Sequence, residues 1–191
     1  MNRTKRRIFN TAIKLFSEKG YDNTNIEEIT AIAGVAKGSL YYHFSKKEEI
    51  FDLLLEEGFK LLKNNIELKC KGYDTALEKI KVVIMLQIRI TVKYEYLLNV
   101  VFSQMWGEDS KNKKCKQTVY EYIAIIEEII KQGIENGEFY EGNVQALAAG
   151  IFGVTHSSLI YRLKNDRQVD IQTVYDGFID TVIRGISKKN I

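Results

Sequence analysis

The sequence predicts an all-α fold of about nine helices, with an N-terminal three-helix head containing a helix-turn-helix and a helical body after it. The chain has 191 residues and no proline, so nothing in it interrupts a helix in the way that proline does. Apolar residues make up 45% of the chain and recur at three- to four-residue spacing, which is the period of an amphipathic helix. Glycine, asparagine and aspartate stand between these stretches, where helices are expected to end or begin.

The first predicted helix, Asn2–Lys19, has one broad apolar face and a basic start. Its inward residues are expected to be Ile8, Phe9, Ala12, Ile13, Leu15 and Phe16. Gly20 follows as a C-cap, because glycine tolerates the left-handed backbone that ends many helices. Four cations lie within residues 3–7, where they are placed to meet phosphates or to enter a minor groove as an arm. A solvated basic N-terminus is the alternative for this segment.

Residues 24–47 are predicted to form two short helices joined by a tight turn and followed at once by a third. Thr24 and Glu27 have the spacing of a capping box, in which each side chain accepts from the other residue's amide. Gly34 stands where the chain must leave the first of these helices in a left-handed conformation. The next helix, Lys37–Phe44, is expected to bury Leu40 and Phe44. This pattern is typical of a helix-turn-helix that reads DNA.

The distribution of charge supports a DNA-binding end. The chain carries a net charge of only +3, but residues 1–47 hold nine Lys/Arg against four Asp/Glu, which leaves 19 against 21 for the remainder. A local net charge of +5 against −2 places the basic surface at the helix-turn-helix.

The body is predicted from glycines that end helices and polar residues that begin them. Ser45 and Glu48 have the spacing of another capping box, and Asp74, Asn143 and Asp170 are expected N-caps. The predicted body helices are 46–69, 74–92, 94–106, a seventh from 109 or 110 to 136, 143–164 and 171–187. The helix 46–69 is expected to turn Ile50, Leu53, Leu54, Leu61, Leu62 and Ile66 inward.

The segment Ile29–Ile50, ITAIAGVAKGSLYYHFSKKEEI, resembles the signature of the tetracycline-repressor family of bacterial transcription regulators. The glycine of the turn, the Leu-Tyr-Tyr-His-Phe core and the Ser-Lys-Lys-Glu cap stand at the offsets of that family. Thr30 departs from the usual alanine, and its hydroxyl is expected to bond back to a backbone carbonyl. The remaining two thirds of the chain resembles the family in length and helical texture.

The resemblance implies a helix-turn-helix DNA-binding domain at 1–46 and a helical effector-binding and dimerisation domain at 47–191. It implies a ligand-responsive repressor that binds double-stranded DNA at a palindromic operator as a homodimer and is released by a small hydrophobic effector. A regulator controlled by a partner protein, or a constitutive one without an effector, is the alternative.

The DNA-contacting residues are predicted from chemistry and from position within the family motif. The predicted set is Thr24, Asn25, Lys37, Gly38, Ser39, Tyr41, Tyr42, His43 and Lys47. Lys37 is suited to pair with guanine, whereas Lys47 at the start of the fourth helix is expected to contact the phosphate backbone. For His43 the alternative is a half-buried structural histidine.

Effector contacts are expected from aromatic and flexible side chains of the body helices, because helical bundles hold ligands between facing side chains. The predicted set is Met85, Arg89, Tyr94, Phe102, Met105, Trp106, Tyr122, Phe152 and His156. Ordinary core packing is the alternative for each of them. A weak resemblance of the stretches Asn136–Phe139 and Ile151–Gly153 to acyl-CoA-sensing members makes a fatty acyl effector one option, and a hydrophobic drug, dye or flavonoid is equally open.

The last two helices are predicted to form the dimer surface. Small residues on the eighth helix permit close backbone approach, and the ninth has more apolar surface than an exposed terminal helix should show. The predicted interface residues are Ala149, Gly153, Val174, Phe178 and Val182. The alternative is that both helices close the core of their own chain.

Other classes of protein find little support in the sequence. Cys70 and Cys115 lack CxxC spacing, so neither a metal site nor a disulfide framework is predicted, and no cofactor is expected. The chain has no P-loop, nucleophile elbow or paired carboxylates with Glu-x-x-His spacing, so an enzyme is not predicted. No apolar run near 20 residues and no secretory pattern were recognised, so a cytoplasmic protein without membrane contact is expected.

Overall fold

The computed structural model describes residues 2–106, 113–165 and 169–186, although the side chains of residues 103–106 and Lys164 are outside the description. These residues form helices without a β-strand, so the predicted all-α fold is confirmed. The helices are α1 (Arg3–Lys19), α2 (Ile26–Ala33), α3 (Lys37–His43), α4 (Lys47–Cys70), α5 (Ala76–Lys93), α6 (Glu95–Trp106), α7 (Lys113–Glu135), α8 (Val144–Asn165) and α9 (Ile171–Phe178). A π-helical turn, Ile179–Ile183, and the short α10, Arg184–Ile186, continue α9. The predicted start of the seventh helix lies outside the described residues.

The chain divides into two compact units, which do not follow the predicted boundary between residues 46 and 47. The first unit comprises Met1–Lys60 with Tyr94–Thr118, and the second comprises Leu61–Lys93 with Val119–Ile191. In the first unit α1 packs against α2, α3 and α6. The buried side chains of Leu97 and Val101 make α6 part of this unit's core. The helix-turn-helix is therefore built on a larger scaffold than its sequence motif suggests.

Several helix ends differ by a residue from their predicted caps. Asn25, rather than Thr24, caps α2 by accepting a hydrogen bond from the Glu28 amide at 2.8 Å. The amide and hydroxyl of Ser45 donate to the carboxylate of Glu49, one residue after the predicted partner. At α5 the cap is Thr75, whose hydroxyl oxygen accepts from the Glu78 amide at 3.2 Å, and not Asp74. Asn143 and Asp170 cap α8 and α9 as predicted.

Gly34 ends α2 in the left-handed conformation, with φ of 59° and ψ of 46°. The Arg7 guanidinium donates to the Gly34 carbonyl at 3.3 Å. A Cβ at this position would lie 2.8 Å from Arg7 Nη2, the movable end of an exposed side chain, so it is the positive φ that favours glycine. The sharp turn between α2 and α3 therefore has the geometry that the sequence predicts. The Thr30 hydroxyl bonds back to the Glu27 carbonyl at 2.8 Å, also as predicted.

The second unit is organised around α5, which packs against α8 and α9. Ile80, Ile84 and Ile88 form a fully buried stripe on α5. The π-helical turn keeps Ile179 and Ile183 in the interior, because its extra residue per turn shifts the inward face. Leu61, predicted to point inward on α4, is instead 62% exposed.

Helix α8 corrects the expectation that no membrane-length apolar run exists. Its segment Val144–Leu163 is long and apolar enough to cross a membrane, with a mean hydropathy of 1.2, and 28% of it is buried in this chain. Helices of soluble proteins also meet this criterion. Its polar interruptions are mostly small and hydroxyl side chains, and Arg162 is the one Asp, Glu, Lys or Arg within it.

Candidate DNA-binding and effector-binding sites

The recognition helix α3 presents a polar and aromatic face and buries its opposite side. Leu40 is fully buried and Phe44, just after the helix, is nearly so, as predicted. Gly38 is exposed and Ser39 half-buried. Tyr42 is 84% exposed and Tyr41 47% exposed, so both rings lie on the solvent side.

At the C-terminal end of α3, the rings of Tyr42 and His43 are in contact. The Tyr42 ring stands edge-on to the half-buried His43 ring, with centroids 4.9 Å apart. A phenol with this exposure is free to donate to a phosphate or to pack on a thymine methyl. Half-burial agrees with either predicted role for His43.

Lys37 is paired within the protein at the start of α3. Its ammonium donates to the Glu27 carboxylate on α2 and lies 6.0 Å from the centre of the Tyr41 ring. This hydrogen bond raises the pKa of Lys37 and lowers that of Glu27. Both side chains are exposed, so the pair exchanges readily with solvent or with an incoming base.

Thr24 does not reach the surface at the start of α2. It is 1% exposed, and its hydroxyl donates to the Gly20 carbonyl at 2.8 Å. The Thr24 side chain therefore holds the connection between α1 and α2 and does not present its hydroxyl for the predicted phosphate contact. Asn25 remains exposed at the helix start and keeps amide donors for a phosphate.

Lys47 is also engaged inside the head. Its ammonium donates to the carbonyls of Tyr21 and Thr24 at 2.8 and 2.9 Å, and it lies 4.1 Å from the centre of the Tyr21 ring. The prediction that Lys47 contacts a phosphate did not include these internal partners. Sequence position alone gave no sign of these partners, since they lie 23 and 26 residues away.

The basic N-terminus forms helix and not an extended arm. Asn2 caps α1 by accepting from the Lys5 amide at 2.8 Å, so the cations of residues 3–7 lie on its first turns. The Lys5 ammonium lies 5.1 Å from the centre of the Phe44 ring. These cations are consequently fixed relative to α3, which suits phosphate contact better than insertion into a groove.

The second unit contains a buried polar cluster that crosses three helices. The Gln87 side chain of α5 donates to the Phe152 carbonyl of α8 at 2.8 Å. The Tyr122 hydroxyl of α7 donates to the Gln87 side-chain oxygen at 3.1 Å. The rings of Tyr122 and Phe152 stand edge-on with centroids 5.6 Å apart. Gln87 thus joins the neighbouring helices through both ends of its amide.

The polar residues around this cluster are uncharged. Thr91 and Thr155 are buried, and the Thr155 hydroxyl donates to the Ile151 carbonyl at 2.7 Å. Burial lowers the pKa of His156 to about 4 and raises the pKa of Tyr122, so both are neutral at pH 7. No Asp, Glu, Lys or Arg is buried among the described residues. This interior can therefore offer hydrogen bonds, but no counterion.

The predicted effector residues divide between the two units. Met85, Tyr122, Phe152 and His156 belong to the second unit and are buried or half-buried. Tyr94 and Phe102 belong to the first and are half-buried, while the side chains of Met105 and Trp106 lie outside the described part. Arg89 is exposed on α5, unlike the other predicted effector residues of the second unit.

Sequence reasoning missed Gln87, Thr91 and Thr155. The signal was present on α5, where Gln87 and Thr91 occupy positions of its isoleucine stripe, three and seven residues after Ile84. Polar residues at inward positions of an amphipathic helix need hydrogen-bond partners and therefore indicate a buried network. An open surface cleft also lies between α7 and the start of α8, but it is lined by Glu127, Glu128 and Lys131 and not by this cluster.

The predicted dimer residues also divide into two groups. Ala149 is exposed and Gly153 half-buried on α8, beside the exposed Gly150 and Val154. Val174 and Phe178 are only 2% and 7% exposed, and Val182 is half-buried. Val174 and Phe178 therefore close the core of their own chain, as the alternative interpretation of α9 held.

A helix-turn-helix on a helical body, with an exposed face on its recognition helix, defines the class of DNA-binding transcription regulators. Residues 8–54 match the family model described as bacterial regulatory proteins, tetR family. Residues 62–188 match the model of the QacR-like protein C-terminal region. The chain belongs to the TetR family of transcriptional regulators.

Individual relatives agree with this assignment over nearly the whole chain. The fatty acid metabolism regulator protein of Bacillus subtilis is 26% identical over 95% of both chains. The transcriptional regulator QacR of Staphylococcus aureus is 29% identical over 82% of this chain and 88% of its own. The crystal structure of FadR from Bacillus subtilis in complex with stearoyl-CoA superposes with a TM-score of 0.83 and 25% identity, covering 94% of this chain and 98% of that one.

These matches establish the activity predicted from the head. The protein is a ligand-responsive, DNA-binding transcriptional repressor that binds double-stranded DNA as a dimer, like the other regulators of its family. Its relatives are regulators of transcription and not enzymes.

Proposed function

We propose that the effector is a molecule with a long, uncharged acyl chain, and that the chain enters the second unit at the Gln87–Tyr122–Phe152 cluster. The observation that carries this proposal is the neutrality of that cluster. Burying an unpaired cation costs several kcal/mol in a medium without counterions, whereas methylene groups gain about 0.8 kcal/mol each. The uncharged interior therefore favours the acyl option over a cationic drug or dye.

The relatives support the same chemical class. One is named for fatty acid metabolism, and a FadR structure of high similarity holds stearoyl-CoA. The side chains beside the cluster include Met85 and Phe152, which are flexible or apolar. The Gln87 amide and the Tyr122 hydroxyl can donate to a thioester or carboxyl carbonyl once they release their present partners.

DNA recognition is proposed to use the exposed face of α3. Lys37 would exchange Glu27 for a guanine, while Gly38 and Ser39 allow close approach to base edges. Tyr41, Tyr42, His43 and Asn25 would position the head on phosphates. We keep residues 1–46 as the DNA-reading part in function, although the compact unit around it is larger.

The dimer is proposed to form through the exposed small residues of α8. Ala149, Gly150 and Gly153 permit close helix contact, and pairing would cover the exposed Val154. Two heads about 34 Å apart would then read a palindrome on one face of DNA. We infer action in the cytoplasm, where the DNA is, and we assign no catalytic residue.

The effector is proposed to act by population shift. It would prefer a state of the dimer in which the heads no longer match two successive major grooves. A useful response needs a preference of roughly 100-fold, or about 3 kcal/mol, between the two states.

The test begins with selection of operator DNA from random duplexes, followed by operator binding and thermal unfolding with three probes. Stearoyl-CoA supplies the acyl chain, free coenzyme A supplies the head group alone, and tetraphenylphosphonium supplies a lipophilic cation. We expect stearoyl-CoA to release the operator and to raise the melting temperature, since at 100 times its Kd a ligand stabilises the native state by about 2.7 kcal/mol.

The controls separate the acyl chain from its head group. Coenzyme A and tetraphenylphosphonium should leave both measurements unchanged. Release of operator by the cation, or equal effects of coenzyme A and stearoyl-CoA, would contradict the proposal. Glu127→Gln, in the open cleft between α7 and α8, serves as the matched variant that should respond like the wild type.

A further inference from the structure

The ammonium of Lys47 occupies a built site in the first unit. It donates to two backbone carbonyls, Tyr21 at 2.8 Å and Thr24 at 2.9 Å, and the Tyr21 ring covers it at 4.1 Å. Two of its three N–H groups are therefore committed inside the protein. A cation over an aromatic face with two carbonyl acceptors is stabilised by charge, hydrogen bonding and partial desolvation together.

The site lies where three segments of the head meet. Tyr21 and Thr24 belong to the connection between α1 and α2, and the Thr24 amide donates to the Tyr21 carbonyl at 3.2 Å. The Tyr21 ring packs between Phe16 of α1 and Phe51 of α4, with centroids 5.1 and 5.3 Å away. Lys47 is in the first turn of α4, so its side chain ties that turn to the residues that lead directly into α2.

The neighbouring Lys46 has the opposite environment. It is exposed, and its ammonium makes no hydrogen bond or ion pair in the part of the chain that the structure describes. It lies between the end of α3 and the start of α4, next to the exposed Ser45. The hydrogen bonds from Ser45 are the main cause of the lowered pKa of Glu49, and the charges of Lys46 and Lys5 lower it further.

We propose that Lys47 is a positioning residue that holds the start of α2 on the first turn of α4, and that Lys46 is the cation of this pair that contacts a DNA phosphate. Two carbonyls and the Tyr21 ring fix the Lys47 ammonium inside the head and leave it one N–H, whereas the exposed Lys46 ammonium has no internal hydrogen bond to lose. The two adjacent lysines then have different roles. Lys47 fixes the geometry of the helix-turn-helix, and Lys46 neutralises charge on DNA.

The salt dependence of operator binding separates the two roles, because each neutralised phosphate contributes about 0.9 to the slope of log K against log salt. Lys46→Met should lower the slope by about that amount, with an unchanged melting temperature and an unchanged ratio of operator to random-DNA affinity. Lys47→Met should keep the slope, lower the melting temperature and lower that ratio, since a displaced α2 misplaces α3 on the bases. All binding is measured at least 15 °C below the melting temperature of the variant, so that unfolded protein does not lower the measured affinity.

Two further variants keep the test decisive. Lys47→Gln loses the charge but keeps N–H donors, so it should retain more of the operator preference than Lys47→Met while the slope stays that of the wild type. Lys14→Met is the control. It removes an exposed lysine of α1 whose Nζ lies 3.9 Å from Glu18 Oε1, and it should leave the salt slope, the melting temperature and the affinity ratio unchanged. A drop in slope with Lys47→Met or Lys47→Gln, or no drop with Lys46→Met, would overturn the proposal.

Discussion

The two polar sites of this protein differ in charge and in burial. On the head, Lys37, Glu27 and the α3 tyrosines are exposed, so solvent and DNA compete for the same groups. In the second unit, Gln87, Tyr122 and His156 are buried and uncharged, and burial itself maintains their neutral forms. Exposed charges contribute little to stability and much to association with DNA, whereas buried neutral groups do the reverse. Substitutions in the two sites should therefore be visible in different measurements.

The largest effect is expected from acid at the buried site. His156 has a pKa lowered from 6.5 to about 4, so the unfolded chain binds a proton in this range before the folded chain does. Stability is then fully present above pH 6.5 and falls as the pH drops towards 4, by up to about 3 kcal/mol. Denaturant unfolding at pH 7.0, 6.0 and 5.0 measures it. His156→Gln should flatten the difference between pH 7 and 5, and an equally steep decline in that variant would contradict the assignment.

The next effect is the loss of one hydrogen bond in the same cluster. Tyr122→Phe leaves the Gln87 side-chain oxygen without that donor and should cost about 1–3 kcal/mol of unfolding free energy. Operator affinity and its salt slope, measured well below the melting temperature, should match the wild type. Tyr120→Phe, on the exposed side of α7, is the matched control and should be neutral in both measurements. A changed salt slope in Tyr122→Phe would remove the distinction between the two sites.

Lys37→Gln should show the reverse behaviour on the head. Loss of a pairing with guanine is expected to lower operator preference over random DNA about 10-fold, within the usual 1–3 kcal/mol for such a contact. The melting temperature should change little, because the Lys37–Glu27 pair is exposed on both sides. Competition binding with the selected operator and a scrambled duplex gives the ratio. An unchanged ratio would show that Lys37 does not read a base.

The smallest effect is expected from Glu27→Gln. This substitution releases Lys37 from its partner on α2 and removes a negative charge from the DNA-facing end of the head. Affinity for operator should rise by a few-fold, because the protein no longer gives up an internal ion pair on binding. Titration at two salt concentrations measures the gain, which should shrink as salt rises. Weaker binding would mean that Glu27 has to hold Lys37 in place for the contact.

The head was more predictable than the body because its geometry is local. Gly34, Leu40 and Phe44 act through neighbours within a few residues, so their types and spacing determined the turn and the recognition helix. The internal partners of Lys47 could not be predicted in this way, because they lie 23 and 26 residues away in the sequence. The hydrogen bond from the Thr24 hydroxyl to the Gly20 carbonyl is local, but a capping-box pattern did not indicate it.

The body differs from the predictions at residues whose burial does not follow from their apolar or polar character. Val174 and Phe178 were read as outward from their apolar character, yet the packing of α9 against α5 buries them. Arg89 lies among apolar neighbours in sequence but points outward on α5. The Gln87–Tyr122 bond joins residues 35 apart on different helices, and no spacing rule relates two such positions.

The first turn of α5 is completed by a residue made much later. The amides of Ala76 and Leu77 donate to the Glu138 carboxylate at 3.1 and 3.0 Å, across 62 and 61 residues of chain. At a ribosomal rate of 5–20 residues per second, roughly 3–12 seconds pass between synthesis of the start of α5 and synthesis of Glu138. During that interval α5 has its local cap, Thr75, but it lacks the Glu138 carboxylate at its first two amides and α8 over its isoleucine stripe. The second unit should therefore be the part of the nascent chain that engages chaperones, whereas every segment of the first unit has been made by residue 118.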